Sequence, residues 1–155
     1  IILDGIRLIF TTLWSTISPE NQWHMHHNMS DFRVIKFNNE IFSINHVNAL
    51  HEECKSFLTQ ELNMNFHGKT VVVTHHVPTL LNYPPKYKTS ILNQAFAVEM
   101  YDLIEDSSID YWIYGHSHIN TPEFMIGNTH LLTNQLGYVS HFEHQQFQKD
   151  RIILI

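Results

Sequence analysis

The chain has 155 residues, 43% of them hydrophobic, with five Gly and five Pro. That composition excludes a disordered tail, and no run of about 18 apolar residues is present to span a bilayer, so no membrane partner is expected. Nine Lys plus Arg stand against fifteen Asp plus Glu, a balance of −6 with neutral histidines; this argues against a phosphate-backbone footprint and hence against nucleic acid as a partner.

The opening stretch IILDGIRLIF has no basic leader and no small-residue cleavage site, so it does not read as a signal peptide. A chain that opens on Ile1 inside an apolar run reads as cut. Residues 6 to 14, IRLIFTTLW, predict a strand rich in β-branched and aromatic residues. Residues 18 to 31 lack a period and read as a loop. Phe32 to Phe37 alternates as a short strand. Val47, Leu50, Cys54, Phe57, Leu58 and Leu62 recur at helical spacing, which predicts an amphipathic helix over 45–62. Cys54 is the lone cysteine, so no intrachain disulfide forms; this fits a reducing, cytoplasmic setting. Lys69 to Thr74 is the continuous apolar kind of strand that is buried on both faces.

A Pro-containing loop comes next, and then a second helix over 92–105 with Phe96, Met100, Leu103 and Ile104 inward. Residues 109 to 114, IDYWIY, predict another buried strand. Residues 123–126 and 130–133 flank Gly127-Asn128, a tight hairpin signal. Arg151 to Ile155 reads as a terminal strand. Strands alternating with helices predict an α/β layered domain, whose ligand sites lie at the carboxyl ends of strands. Val72 and Trp112, on the two central strands, are expected to be buried.

Thirteen histidines are the unusual count, and imidazole is the commonest metal ligand. Two strands end in histidine: one in Thr74-His75-His76, the other in Gly115-His116-Ser117-His118. A helix between them makes the strands parallel neighbours about 4.8 Å apart, which brings His75 near His116 and His118. On an extended segment His116 and His118 would face the same way, and Gly115 would supply the turn before them. That is the placement a shared metal site needs. His24, His26 and His27 read as a solvated loop, and His46, His51, His141 and His144 as surface. No HExxH, Gly-x-Ser-x-Gly or P-loop occurs.

The segment VVVTHHVP over 71–78, with IYGHSHIN over 113–120, resembles the calcineurin-like metallophosphoesterases. The resemblance extends to TTLWS, to NQAF and to TNQLGY. It implies that His75 and His116 bind one metal and His118 the other. The cofactors would be two divalent ions: manganese, iron or zinc. The substrate would be a small phosphoester. The variable His76 receives no role. Family members commonly carry Asn-Pro-Arg-Gly-Tyr where this chain has Asn134-Gln135-Leu136-Gly137-Tyr138. The family's Asp-x-His, Gly-Asp-x-x-Asp and Gly-Asn-His-Asp/Glu motifs do not occur; Gly127-Asn128-Thr129-His130 reads as the hairpin turn. The bridging carboxylate and the histidine assigned to leaving-group protonation are therefore missing.

The expected fold is α/β, part of the family's layered β-sandwich flanked by helices and lacking its amino-terminal half. Residues 1–155 would form a single domain or half-domain. The expected function is metal-dependent phosphoester hydrolysis, this chain supplying the carboxyl-terminal half of the site and being weak or inactive alone. Its partners would be the missing half or a second copy of the chain. The alternative is an inactive fragment acting as a metal-binding or interaction module.

Overall fold

The computed structural model describes all 155 residues. In chain order the elements are β1 (Ile2–Leu3), β2 (Ile6–Thr11), α1 (Gln22–Asn28), α2 (Asp31–Val34), β3 (Lys36–Phe37), β4 (Glu40–Ile41), α3 (Ile44–Asn63), β5 (Lys69–Thr74), α4 (Tyr101–Glu105), β6 (Tyr111–Tyr114), β7 (Phe124–Ile126) and β8 (Thr129–Thr133). Six strands form one mixed sheet in the order β1-β2-β5-β6-β8-β7, and β3 and β4 make a separate hairpin. The central pairs β2–β5, β5–β6 and β6–β8 are parallel. The expected α/β class and parallel pairing of the two histidine-ended strands are thus present.

The core sits where the period demands. Ile9, Val72 and Trp112 pair across three strands, and Val72 and Trp112 are both 0% exposed. α3 covers this face, with Leu58 in the same apolar cluster. Ser43 caps α3, its hydroxyl accepting from the His46 amide while the His46 ring accepts from the Ser43 amide. At the other end the Arg7 guanidinium donates to the carbonyls of Glu61 and Met64, 2.8 and 3.1 Å away. This explains a buried arginine inside an apolar strand: it satisfies the carbonyls that a helix end leaves without partners.

The opposite face is half-open. Along β2, Arg7 and Ile9 are buried, whereas Phe10 is 52% exposed. Central parallel strands normally carry cover on both faces. No helix of the chain is long and apolar enough to cross a membrane.

Several local expectations are overturned. The first strand ends at Thr11, because Leu13 adopts a left-handed φ of 51° and tucks into the core. Residues 18 to 31 are largely ordered as α1 and a preceding 3-10 turn. Met25 alone of α1 is buried, which is too little apolar signal for a period. The expected strand over 32–37 is instead α2 followed by β3, with Asn38 and Asn39 at φ 50° and 68°. That Asn-Asn pair fits the positive-φ positions of a tight hairpin.

The second helix shrinks to Tyr101–Glu105, preceded by a 3-10 turn at Ile91–Ala95. Residues 96–100 run beside 77–78 instead, the Val77 amide donating to Phe96 and the Val98 amide to Val77. Backbone bonds to that neighbour replace the helical ones. The terminal strand is absent: Arg151 donates to the Thr133 carbonyl, and the last residues carry no ladder.

Candidate functional site

β5 and β6 end side by side, and the loops at their carboxyl ends build the site. The Gly115 amide donates to the His75 carbonyl at 3.1 Å, tying the two loops together. Below them the Trp112 indole donates to the Thr74 hydroxyl, which donates on to the His76 carbonyl. A buried core tryptophan thus fixes the start of the histidine loop.

His75 Nε2 and His116 Nδ1 lie 2.8 Å apart. Two imidazoles at that distance share one proton at most, so one presents a lone pair. The His116 ring lies between two aromatic faces, with Phe96 at 4.6 Å and His76 at 4.3 Å between centroids. Its Nε2 is buried without a well-formed hydrogen bond, and the Ala95 backbone offers the ring only a weak one.

Burial and neighbouring charge shape the protonation. Burial pushes His116 down to about 4, with the His75 charge acting in the same direction. Burial likewise pushes His76 down to about 3, helped by the His116, His75 and His51 charges. His75 keeps an exposed side, and its pKa is lowered by desolvation and then by His118. All three rings are neutral at pH 7, the state that metal ligation requires.

His118 is held separately. Its amide donates to Gln135 Oε1 at 2.7 Å, and its Nδ1 lies 3.1 Å from Glu143 Oε2. A carboxylate only accepts, so Nδ1 carries the proton and Nε2 is left free. The Glu143 carboxylate also accepts from the Tyr138 amide, the largest of the influences that lower its pKa. Gly137, at φ 63°, makes this approach possible: a Cβ there would meet Glu143 and crowd His118.

The geometry corrects two expectations about the loop. His116 and His118 are not extended; they take left-handed φ values of 69° and 56°. They therefore diverge, one toward His75 and one toward Glu143. Gly115 does not make the turn, since its φ is not positive and a Cβ there would meet only ordinary contacts. Histidine tolerates the left-handed region better than most residues, and such strain gathers at functional sites.

Three contributors receive no role from the sequence alone. Gln135, in the segment that departs from Asn-Pro-Arg-Gly-Tyr, is buried and clamps the loop through Ser117, Ile119 and the His118 amide. His76 is 2% exposed, held by Ser15 and stacked on His116. Glu143 lies within a polar, irregular stretch. His51, expected on the surface, is buried with Nδ1 2.6 Å from the Trp14 carbonyl. His24, His26 and His27 are exposed, but on helix α1 rather than a loop. His46 is half-buried in its cap, His144 is half-buried, and His141 is exposed.

As a metal site the donor set fits in part. Two ligand nitrogens on one ion, each about 2.1 Å from it, lie roughly 3 Å apart, and His75 with His116 meets that spacing. No three His, Cys, Asp or Glu side chains are gathered about one point.

No family model matches the chain. It is similar to an uncharacterized protein of Acanthamoeba polyphaga mimivirus, 33% identical over 147 residues, a match that takes in 88% of this chain and 51% of the viral protein. The chain spans about half the length of the curated relative it matches.

Proposed function

We propose that this chain carries part of the two-metal site of a calcineurin-like metallophosphoesterase. His75 and His116 would share one divalent cation, and His118 would hold the other through Nε2. The observation that carries this reading is the 2.8 Å approach of two burial-neutralised imidazoles at the ends of adjacent parallel strands. Divalent cations bound there would polarise phosphoryl oxygens and supply a hydroxide at neutral pH. The chain's own residues do the positioning. His76 and Phe96 hold the His116 ring from both faces, Glu143 fixes the His118 tautomer, and Gln135 fixes the main chain between them. A carboxylate behind a ligating histidine is the usual arrangement for orienting it.

Metal content after dialysis tests the reading. His116→Ala should lose manganese or zinc that the native chain retains, whereas His24→Ala, altered on the exposed face of α1, should retain it. Equal retention by both variants counts against the site.

Hydrolysis by the chain alone should be very slow. Three imidazoles offer no bridging carboxylate, and a catalytic ion normally has at least three protein ligands. Turnover of p-nitrophenyl phosphate and bis-p-nitrophenyl phosphate with added manganese checks this. Fast, His116-dependent turnover would mean a complete site of another design.

A second reading is an interaction module without activity, favoured by the half-open sheet face around Phe10. That face suits a second copy or a segment equivalent to the half of the viral relative outside the match. A native chain that binds no metal and self-associates through Phe10 would favour it.

A further inference from the structure

A cavity of about 740 Å³ opens directly above the histidines. Its walls come from the end of α1, the 83–96 segment, the loop after β6 and the 138–143 segment, with His75, His116 and His118 at its floor. A phosphoryl group takes the space of a few water molecules, each about 30 Å³. Most of the cavity is thus left for whatever the phosphoryl group is attached to, and its size lies within the range of sites for small organic ligands.

The lining says what that group is. No Lys or Arg lines it, whereas Asp31 and Glu143 do, so a second phosphate would meet carboxyl groups there rather than a built-in cation. It does contain Tyr83, Tyr87, Phe96 and Tyr138. Phe96 is occupied with His116, and Tyr83 is buried. Tyr87, half-buried and with the Lys86 ammonium 5.1 Å from its ring centroid, keeps one face open, and Tyr138 is 59% exposed while its ring packs edge-on to His118 at 4.6 Å. A large aromatic side chain left open beside a polar site offers a stacking face. Asn28, Ser90 and Asn93 add neutral hydrogen-bonding groups of the kind that orient a heterocycle.

We infer that the cavity holds a planar aromatic ring against Tyr138 and Tyr87, so that the substrate class is a phosphoester with a single phosphoryl group on an aryl or nucleoside moiety. The choice of ester rests on the phosphoesterase reading; the ring pocket does not.

Binding to the full chain, monitored by isothermal titration, tests both parts separately. Adenosine, adenosine 5′-monophosphate, phenyl phosphate and glycerol 3-phosphate would each be titrated with and without manganese. The two ring-bearing esters should bind at least tenfold more tightly than glycerol 3-phosphate, the scale of one stacking contact. Tyr138→Ala should abolish that preference, and Tyr138→Phe should keep it; both alter an exposed side chain, and a melting curve would verify that they fold. Preference for adenosine 5′-monophosphate over phenyl phosphate would identify a nucleoside, and the reverse an aryl group. Adenosine binding that depends on Tyr138, with no gain from phosphate or manganese, would uphold the ring pocket and sink the phosphoesterase reading. Equal binding of all three esters, or preference untouched by Tyr138→Ala, overturns the inference.

Discussion

Replacing Val72 by Asp should leave the chain unfolded at pH 7. Val72 is 0% exposed and sits mid-sheet, paired with Ile9 on one side and Trp112 on the other. The side chains clustered about it are apolar and offer a carboxylate no partner. An unpaired buried charge costs several kcal/mol even after it neutralises, against a total stability of about 5–15 kcal/mol for an ordinary domain. Val72→Ala removes only buried methyl groups, at about 2 kcal/mol, and should still melt cooperatively. Tryptophan fluorescence during urea unfolding would report both variants, because Trp112 lies next in register. A native-like transition for Val72→Asp would show that β5 is not central.

Acid should destabilise the fold well before the carboxylates titrate. The folded-state values of His76 and His116, about 3 and about 4, lie below the ordinary imidazole value near 6.5. The unfolded chain therefore binds protons that the folded chain refuses. Stability from these groups is fully present above about pH 6.5 and is lost as pH falls toward 4 and then 3. Between pH 7 and 5 each ring gives up ~2 kcal/mol, or ~4 kcal/mol for the pair. The rings stack at 4.3 Å, so the loss belongs to both together. His75 shifts in the same direction and adds to it. Urea midpoints at pH 7.5 and 5 would measure the effect, and His76→Phe should remove about half of the slope. A midpoint that does not move with pH would show that these rings are solvated.

The parts of the fold carried by a repeating pattern were readable from the residues. Lys69–Thr74 is an unbroken apolar run bounded by Gly68 and His75, and it forms a strand over those same residues. The helical spacing from Val47 to Leu62 similarly announced α3, give or take its first and last positions. Segments without a period were lost. α1 is anchored by Met25 alone, and residues 96–100 are extended only because 77–78 offers them backbone partners. The same division holds at the site. His75 and His116 could be paired from topology, since strand ends are placed by the sheet. The divergence of His116 and His118 could not, because it depends on left-handed backbone held by Gln135 and Glu143 from a segment well downstream.

The pairing of β2 with β5 has a kinetic consequence. Ile6 meets Lys69 in register, with α1, α2 and α3 all lying between them along the chain. The whole of that segment must be looped back before this pair forms, and the entropy of closing it is spent before the contacts of β2 with β5 reward it. Sheets built this way fold in milliseconds to seconds, far slower than local helical contacts. α3, the longest helix, can meanwhile gain helicity on the microsecond scale. During the interval the edge of β5 that β2 will cover stands unpaired, so dilute refolding and low temperature should give higher yields of native chain than rapid concentration.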